Sequence, residues 1–154
     1  NAFRDAGNAI AKLGKKKKKH KKGPDPIFAA SVFDWDYYYD AHPDVVQINM
    51  DLATHWRDWG IYQGRAGSFE FDPVFYRATY PDIVQMCGMG DLHCAINHWL
   101  NNGIGEGRVG SPNFNVQNYM NRYPDLKQAY GALGFPDALH HWITVGKDEG
   151  RDPR

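Results

Sequence analysis

His98-Trp99-Leu100-Asn101-Asn102-Gly103-Ile104-Gly105-Glu106-Gly107-Arg108 has two counterparts in the same chain. They are His55-Trp56-Arg57-Asp58-Trp59-Gly60-Ile61-Tyr62-Gln63-Gly64-Arg65 and His141-Trp142-Ile143-Thr144-Val145-Gly146-Lys147-Asp148-Glu149-Gly150-Arg151. His, Trp, two Gly and Arg keep identical offsets in all three, with ten residues from His to Arg each time. Upstream of each lies a second shared stretch, running Phe33 to Pro43-Asp44, Phe71 to Tyr80-Pro81-Asp82 and Phe114 to Tyr123-Pro124-Asp125. The interval from that Asp to the His is sixteen residues in copies two and three and eleven in copy one. An internal repeat of this kind fixes the fold before any other assignment.

Each copy reads as three short helices. In copy two, Phe71, Phe75, Tyr76 and Thr79 share one face, with Asp72 as N-cap and Pro73 at the first helical position. Pro81 ends that helix, and the aspartate after each proline (Asp44, Asp82, Asp125) is expected to cap the second, which carries Ile83, Val84 and Met86 or Leu126, Gln128 and Ala129. The third carries Ala95, Ile96, Trp99 and Leu100, or Ala138, Leu139, Trp142 and Ile143. It is expected to stop at Gly103 or Gly146 through positive φ. One copy cannot bury its aromatic face alone, whereas three together share a core, so the chain reads as all-α, with three tandem three-helix repeats (33–65, 71–108, 114–151) in one domain over 29–154.

The chain has 154 residues, 18 Lys+Arg and 18 Asp+Glu, and no apolar run of the roughly 20 residues that a membrane-spanning helix needs. The neutral total hides a segregation. Residues 1–28 hold nine Lys/Arg against two Asp, a net +7, which leaves −7 on 29–154. Within the first segment, Phe3, Ala6, Ile10 and Leu13 fall at helical spacing ahead of Lys15, Lys16, Lys17, Lys18, Lys19, Lys21 and Lys22. Gly23, Pro24 and Pro26 then mark a linker to the folded part near Ile27. Such a basic arm gains affinity for phosphates or anionic lipid by counterion release and surface potential. The competing reading is a solubilising tail.

Asn1 is no initiator methionine and no leader pattern follows it, so the chain is expected to be a mature, secreted form. The two cysteines, Cys87 and Cys94, flank a glycine-rich turn and are expected to form a disulfide.

Candidate chemistry falls into three sets. His55, His98 and His141, with the tryptophan beside each and Arg65, Arg108 and Arg151 ten residues on, offer imidazole, indole and guanidinium to a sugar or phosphate. The alternative, favoured because shared residues of a repeat are first those that stack it, is that the tryptophans pack the core and the arginines pair with Asp44, Asp82 and Asp125. Asp36 and Asp40, which share a helix face near His42, form the most enzyme-like carboxylate cluster, with helix-terminal acids as the alternative. Cys94 and His98, with His93 and Cys87, are zinc-type residues, but the disulfide competes for the sulfurs and no metal site is expected. A serine nucleophile elbow, a phosphate loop and a dinucleotide fingerprint are absent.

The pattern Phe-x4-Tyr-x3-Tyr-Pro-Asp followed by His-Trp-x3-Gly-x2-Glu-Gly-Arg resembles the Tyr-Pro-Asp/Glu-Gly-Arg helical repeats found beside bacterial surface-polysaccharide glycosyltransferases. It covers about residues 33–151. That resemblance implies a helical accessory module with no catalytic residues of its own, in a cell-surface or polysaccharide setting. Copy one departs from the pattern, with His42 before the proline, Gln63 for the glutamate and five residues fewer. The lysine-rich leader on such a body is similar to secreted marine-sponge toxins, which implies DNA degradation as an alternative activity.

The expectation is therefore a secreted cationic protein, toxin-like or host-defensive, whose arm binds nucleic acid, an anionic membrane surface or an acidic glycan without a cofactor. One alternative is a DNase toxin assisted by a divalent metal, drawing on the histidines with Asp36 and Asp40. The other is a non-enzymatic glycan-binding repeat module.

Overall fold

The computed structural model describes residues 25–154; the lysine run and the amphipathic segment before it lie outside the described residues. A 3-10 turn, Pro26–Phe28, leads into nine α-helices. Copy one supplies α1 (Trp35–Ala41), α2 (Pro43–Gln47) and α3 (Leu52–His55); copy two α4 (Pro73–Thr79), α5 (Pro81–Cys87) and α6 (Leu92–His98). Copy three supplies α7 (Val116–Arg122), α8 (Pro124–Tyr130) and α9 (Phe135–His141). Among the described residues no β-strand forms beyond an isolated bridge between Ser111 and Phe114, and no helix is long and apolar enough to cross a membrane.

The first helix of each copy starts on a side-chain cap: Asp34 accepts from the Tyr37 amide, Asp72 from those of Val74 and Phe75, and Asn115 from that of Asn118. The second helix corrects the sequence reading. It begins at the proline itself, with His42, Tyr80 or Tyr123 at the N-cap and no side-chain capping bond, so Asp44, Asp82 and Asp125 lie inside the first turn. Their carboxylates are thereby free to face an arginine. This helix is pinned to the core by the one apolar residue after the aspartate, Val45, Ile83 or Leu126, each no more than 2% exposed. Of the other residues that the sequence reading set along this helix, Met86, Gln128 and Ala129 are exposed.

The third helix of each copy runs on into a wider π-helical turn, Trp56–Gly60, Trp99–Gly103 or Trp142–Gly146, closed by five-residue bonds such as Ile104 N–H to Trp99 O at 2.9 Å. The stop lies one turn beyond Gly103 and Gly146. The left-handed residue is Gly64, Gly107 or Gly150, at φ of 75°, 73° and 71°. There the Arg108 amide bonds Gly103 O at 3.0 Å and the Gly107 amide bonds Ile104 O at 3.1 Å, the paired bonds of a Schellman cap; copies one and three repeat both. The shared Gly-Arg is thus the helix terminator.

After each arginine the chain returns to its own first helix: the amides of Asp34, Asp72 and Asn115 bond the carbonyls of Gly67, Gly110 and Pro153 at 2.9 Å. Each repeat is a closed loop around one tryptophan, which lies nearly parallel to a phenylalanine. Phe33–Trp56, Phe71–Trp99 and Phe114–Trp142 have centroids 5.9, 5.0 and 5.4 Å apart. Tyr38, Tyr76 and Tyr119 meet the same indoles edge-on, and each such aromatic pair adds about 0.5–1.5 kcal/mol beyond its buried area. Junctions repeat as well, since Ser68 Oγ donates to Ser31 O and Ser111 Oγ to Phe69 O, both at 2.7 Å.

Candidate functional site

The triply repeated histidines occupy one geometry. Tyr38, Tyr76 and Tyr119, on the first helix of each copy, bring their hydroxyls to Nδ1 of His55, His98 and His141 at 2.7, 2.7 and 2.8 Å. Under each hydroxyl sits the glycine of the π-helical turn, Gly60, Gly103 or Gly146, so close that a Cβ there would lie 2.3, 2.2 or 2.3 Å from the phenolic oxygen. Burial pushes the Tyr38 and Tyr119 phenols up to about 12 and raises that of Tyr76 as well. His55 is almost wholly buried, and desolvation followed by the nearby Arg65 charge lowers its imidazole below the ordinary value. These three imidazoles tie the first helix of each copy to the third.

The arginines form a second repeated clamp. Arg65, Arg108 and Arg151 each present Nη1 and Nη2 to both oxygens of Asp44, Asp82 and Asp125, at 2.9 and 2.5, 2.9 and 2.6, and 3.2 and 3.0 Å. Their Nε–H donates to Gln63, Glu106 or Glu149. The guanidinium holds Asp44 down to about 2 and lowers Asp82 and Asp125. The guanidiniums of Arg108 and Arg151 also lie over the rings of Tyr80 and Tyr123, 4.7 Å from the centroids.

Copy one keeps the clamp with different atoms. Tyr80 and Tyr123 accept the amides of Val109 and Asp152 on their hydroxyls. His42, at the same position, donates Nε2–H to Ala66 O at 2.9 Å, which leaves Nδ1 to accept from Arg65 Nη1 at 3.2 Å. His42 is therefore engaged away from Asp36 and Asp40 and completes no acid–base set with them.

Asp36 and Asp40 line a shallow groove with Asp34, Tyr37, Trp142 and Lys147, which brings copy one against copy three. Beneath it lies Glu70, fully buried, whose Oε1 accepts from Trp142 Nε1 at 3.0 Å and pairs with Lys147 Nζ, while Oε2 has no partner. Sequence reasoning missed this cluster, although a signal existed: Lys147 stands where the other copies have Ile61 and Ile104. A cation at an apolar position of a repeat needs a buried partner. A phosphate approaching this groove meets three aspartates, with the one lysine already committed to Glu70. Among the described residues no group of three His, Cys, Asp or Glu side chains is placed to hold a metal ion.

Cys87 and Cys94 are joined in a disulfide that ties the end of α5 to the first turn of α6, so their sulfurs are not available to a metal. Compared with protein-family models, curated proteins and solved structures, the chain matches none.

Proposed function

We propose that this chain is a secreted, polyanion-binding protein of toxin-like or host-defence character, in which the helical body carries the lysine run Lys15–Lys19, Lys21 and Lys22 to an anionic target. The observation that carries the reading is the division of charge. Residues 29–154 bear a net −7, and their cations are largely spoken for: Arg57, Arg65, Arg108, Arg122, Arg151 and Lys147 all pair with carboxylates. A body with that surface repels nucleic acid and anionic lipid, so attraction falls to the +7 of residues 1–28. The disulfide fits an oxidising compartment.

The test is fluorescence anisotropy with a labelled 20-base-pair duplex, on the full chain and on the chain lacking residues 1–22. Engagement of most of the seven lysines predicts a loss of about 10³-fold in affinity between 50 and 200 mM salt. The truncated chain is expected not to bind at either salt. Undiminished binding by the truncated chain, or salt-independent binding by the full one, overturns the reading.

A further inference from the structure

Copy two differs from its sisters along one face, where it has a groove of about 380 Å³. His93, Asn97 and Asn101 follow one another at four-residue steps along its wall, and His98 and Asn102 do the same beside them. Nδ1 of His98 is taken by Tyr76, so the ring nitrogen it offers the groove is Nε2. The fixed charge is one carboxylate, that of Asp91, which also accepts the Cys94 amide as a helix cap, and among the described residues no lysine or arginine lines the groove. At the margins stand two exposed apolar groups, Met86, 58% exposed, and Tyr62, 72% exposed, whose ring lies 5.1 Å from that of His93.

Apart from His98, these residues do not belong to the shared scaffold. At the positions of His93, Asn97, Asn101 and Asn102, copy one has Met50, Thr54, Asp58 and Trp59, and copy three has Pro136, His140, Thr144 and Val145. The disulfide is likewise confined to copy two, and Cys94 itself lines the groove, so the cross-link stiffens its wall. Residues common to a repeat are those that stack it, and here the departures gather in one concave place with a local brace.

We propose that this groove is a binding site for a neutral sugar, one pyranose unit of an uncharged glycan. Side-chain amides donate and accept at once, which matches hydroxyl groups that do the same. The Asp91 carboxylate, with no lysine or arginine beside it in the groove, disfavours phosphate and sulfate ligands. The exposed Tyr62 ring and Met86 suit the C–H face of a pyranose. The tryptophans at first sight best placed for such stacking, Trp56, Trp99 and Trp142, are buried at 5% exposure or less and take no part.

The experiment is a ¹⁵N–¹H correlation titration of the full chain at 0.5 M NaCl, where electrostatic attraction to the lysine run is screened. The probes are the methyl glycosides of glucose, galactose and mannose, and N-acetylglucosamine, each to 50 mM. At least one is expected to shift the side-chain amides of Asn97, Asn101 and Asn102 saturably, with about millimolar affinity. N97A/N101A, altering two exposed side chains, and Y62A each weaken that binding about tenfold or more while leaving the rest of the spectrum in place. Absence of saturable shifts with all four sugars overturns the proposal, as do shifts retained in both variants. Because the assay neither uses a polyanion nor depends on salt, its failure leaves the lysine-arm reading standing, and the converse holds.

Discussion

Gly103→Ala tests the repeat at its tightest point. An added Cβ would stand 2.2 Å from Tyr76 Oη, 3.1 Å from Tyr76 Cζ and 3.2 Å from Trp99 Cε3. Tyr76 is fully buried and its hydroxyl is held by His98 at 2.7 Å, so the ring has no solvent-side rotamer to retreat to. Overpacking of this kind costs about 1–3 kcal/mol, and breaking the buried hydroxyl–imidazole bond adds about 1–2 kcal/mol. Ala over Gly within a helix returns roughly 0.5–1 kcal/mol, which leaves a net loss of about 1–4.5 kcal/mol. Tyr76→Phe alone forfeits the hydrogen bond, about 1–2 kcal/mol, but removes the atom against which the methyl collides.

The double variant is therefore expected to lose less than the sum of the two single changes, by about 1 kcal/mol or more. Urea unfolding followed by helix circular dichroism, on the parent, both single variants and the double, measures the cycle. A Gly103→Ala loss under about 0.5 kcal/mol, or strict additivity with Tyr76→Phe, refutes the idea that the glycine exists to admit the tyrosine hydroxyl.

Two further outcomes follow from the same geometry. Asp44 is depressed to about 2 in the folded state by its paired bonds to Arg65, against an unfolded value near 3.9. Its contribution is thus complete above about pH 4 and disappears as pH falls through about 2, so urea midpoints of the parent and Asp44→Asn should differ at pH 5 and converge near pH 2. A constant gap across that window contradicts the clamp. The loop closed by Cys87 and Cys94, with a sequence separation of 7, is short. Replacing both cysteines by serine is therefore expected to cost about 2–3 kcal/mol in urea unfolding, while leaving duplex binding through the lysine run unchanged.

Much of the fold was legible because a repeat prints the same requirement three times. The Trp of each copy, the Asp72-Pro73 helix start, the arginine–aspartate pairing and the half-cystine pair all follow from residue type and spacing. Local chemistry also misled. An aspartate after proline reads as a cap and Gly103 as a left-handed stop, yet the helix starts two residues earlier and ends one turn later. Both errors share a cause: the aspartate is recruited by an arginine 26 residues away and the glycine by a tyrosine hydroxyl from another helix.

The candidate sites divide along the same line. Sequence offsets singled out His55, His98 and His141, but whether an imidazole meets a ligand or a neighbouring phenol depends on what packs across from it. Asp36 and Asp40 share a helix face, as their spacing requires, and only the approach of copy three sets Lys147 and Trp142 beside them. The sequence by itself determined the helical class, the triplication and the separation of +7 from −7, because these are properties of composition and period. Tertiary structure alone decided which shared polar groups are used up in holding the repeats together and which copy keeps an open groove walled by histidine and asparagine, because hydrogen-bond partners and concavity arise between segments distant along the chain.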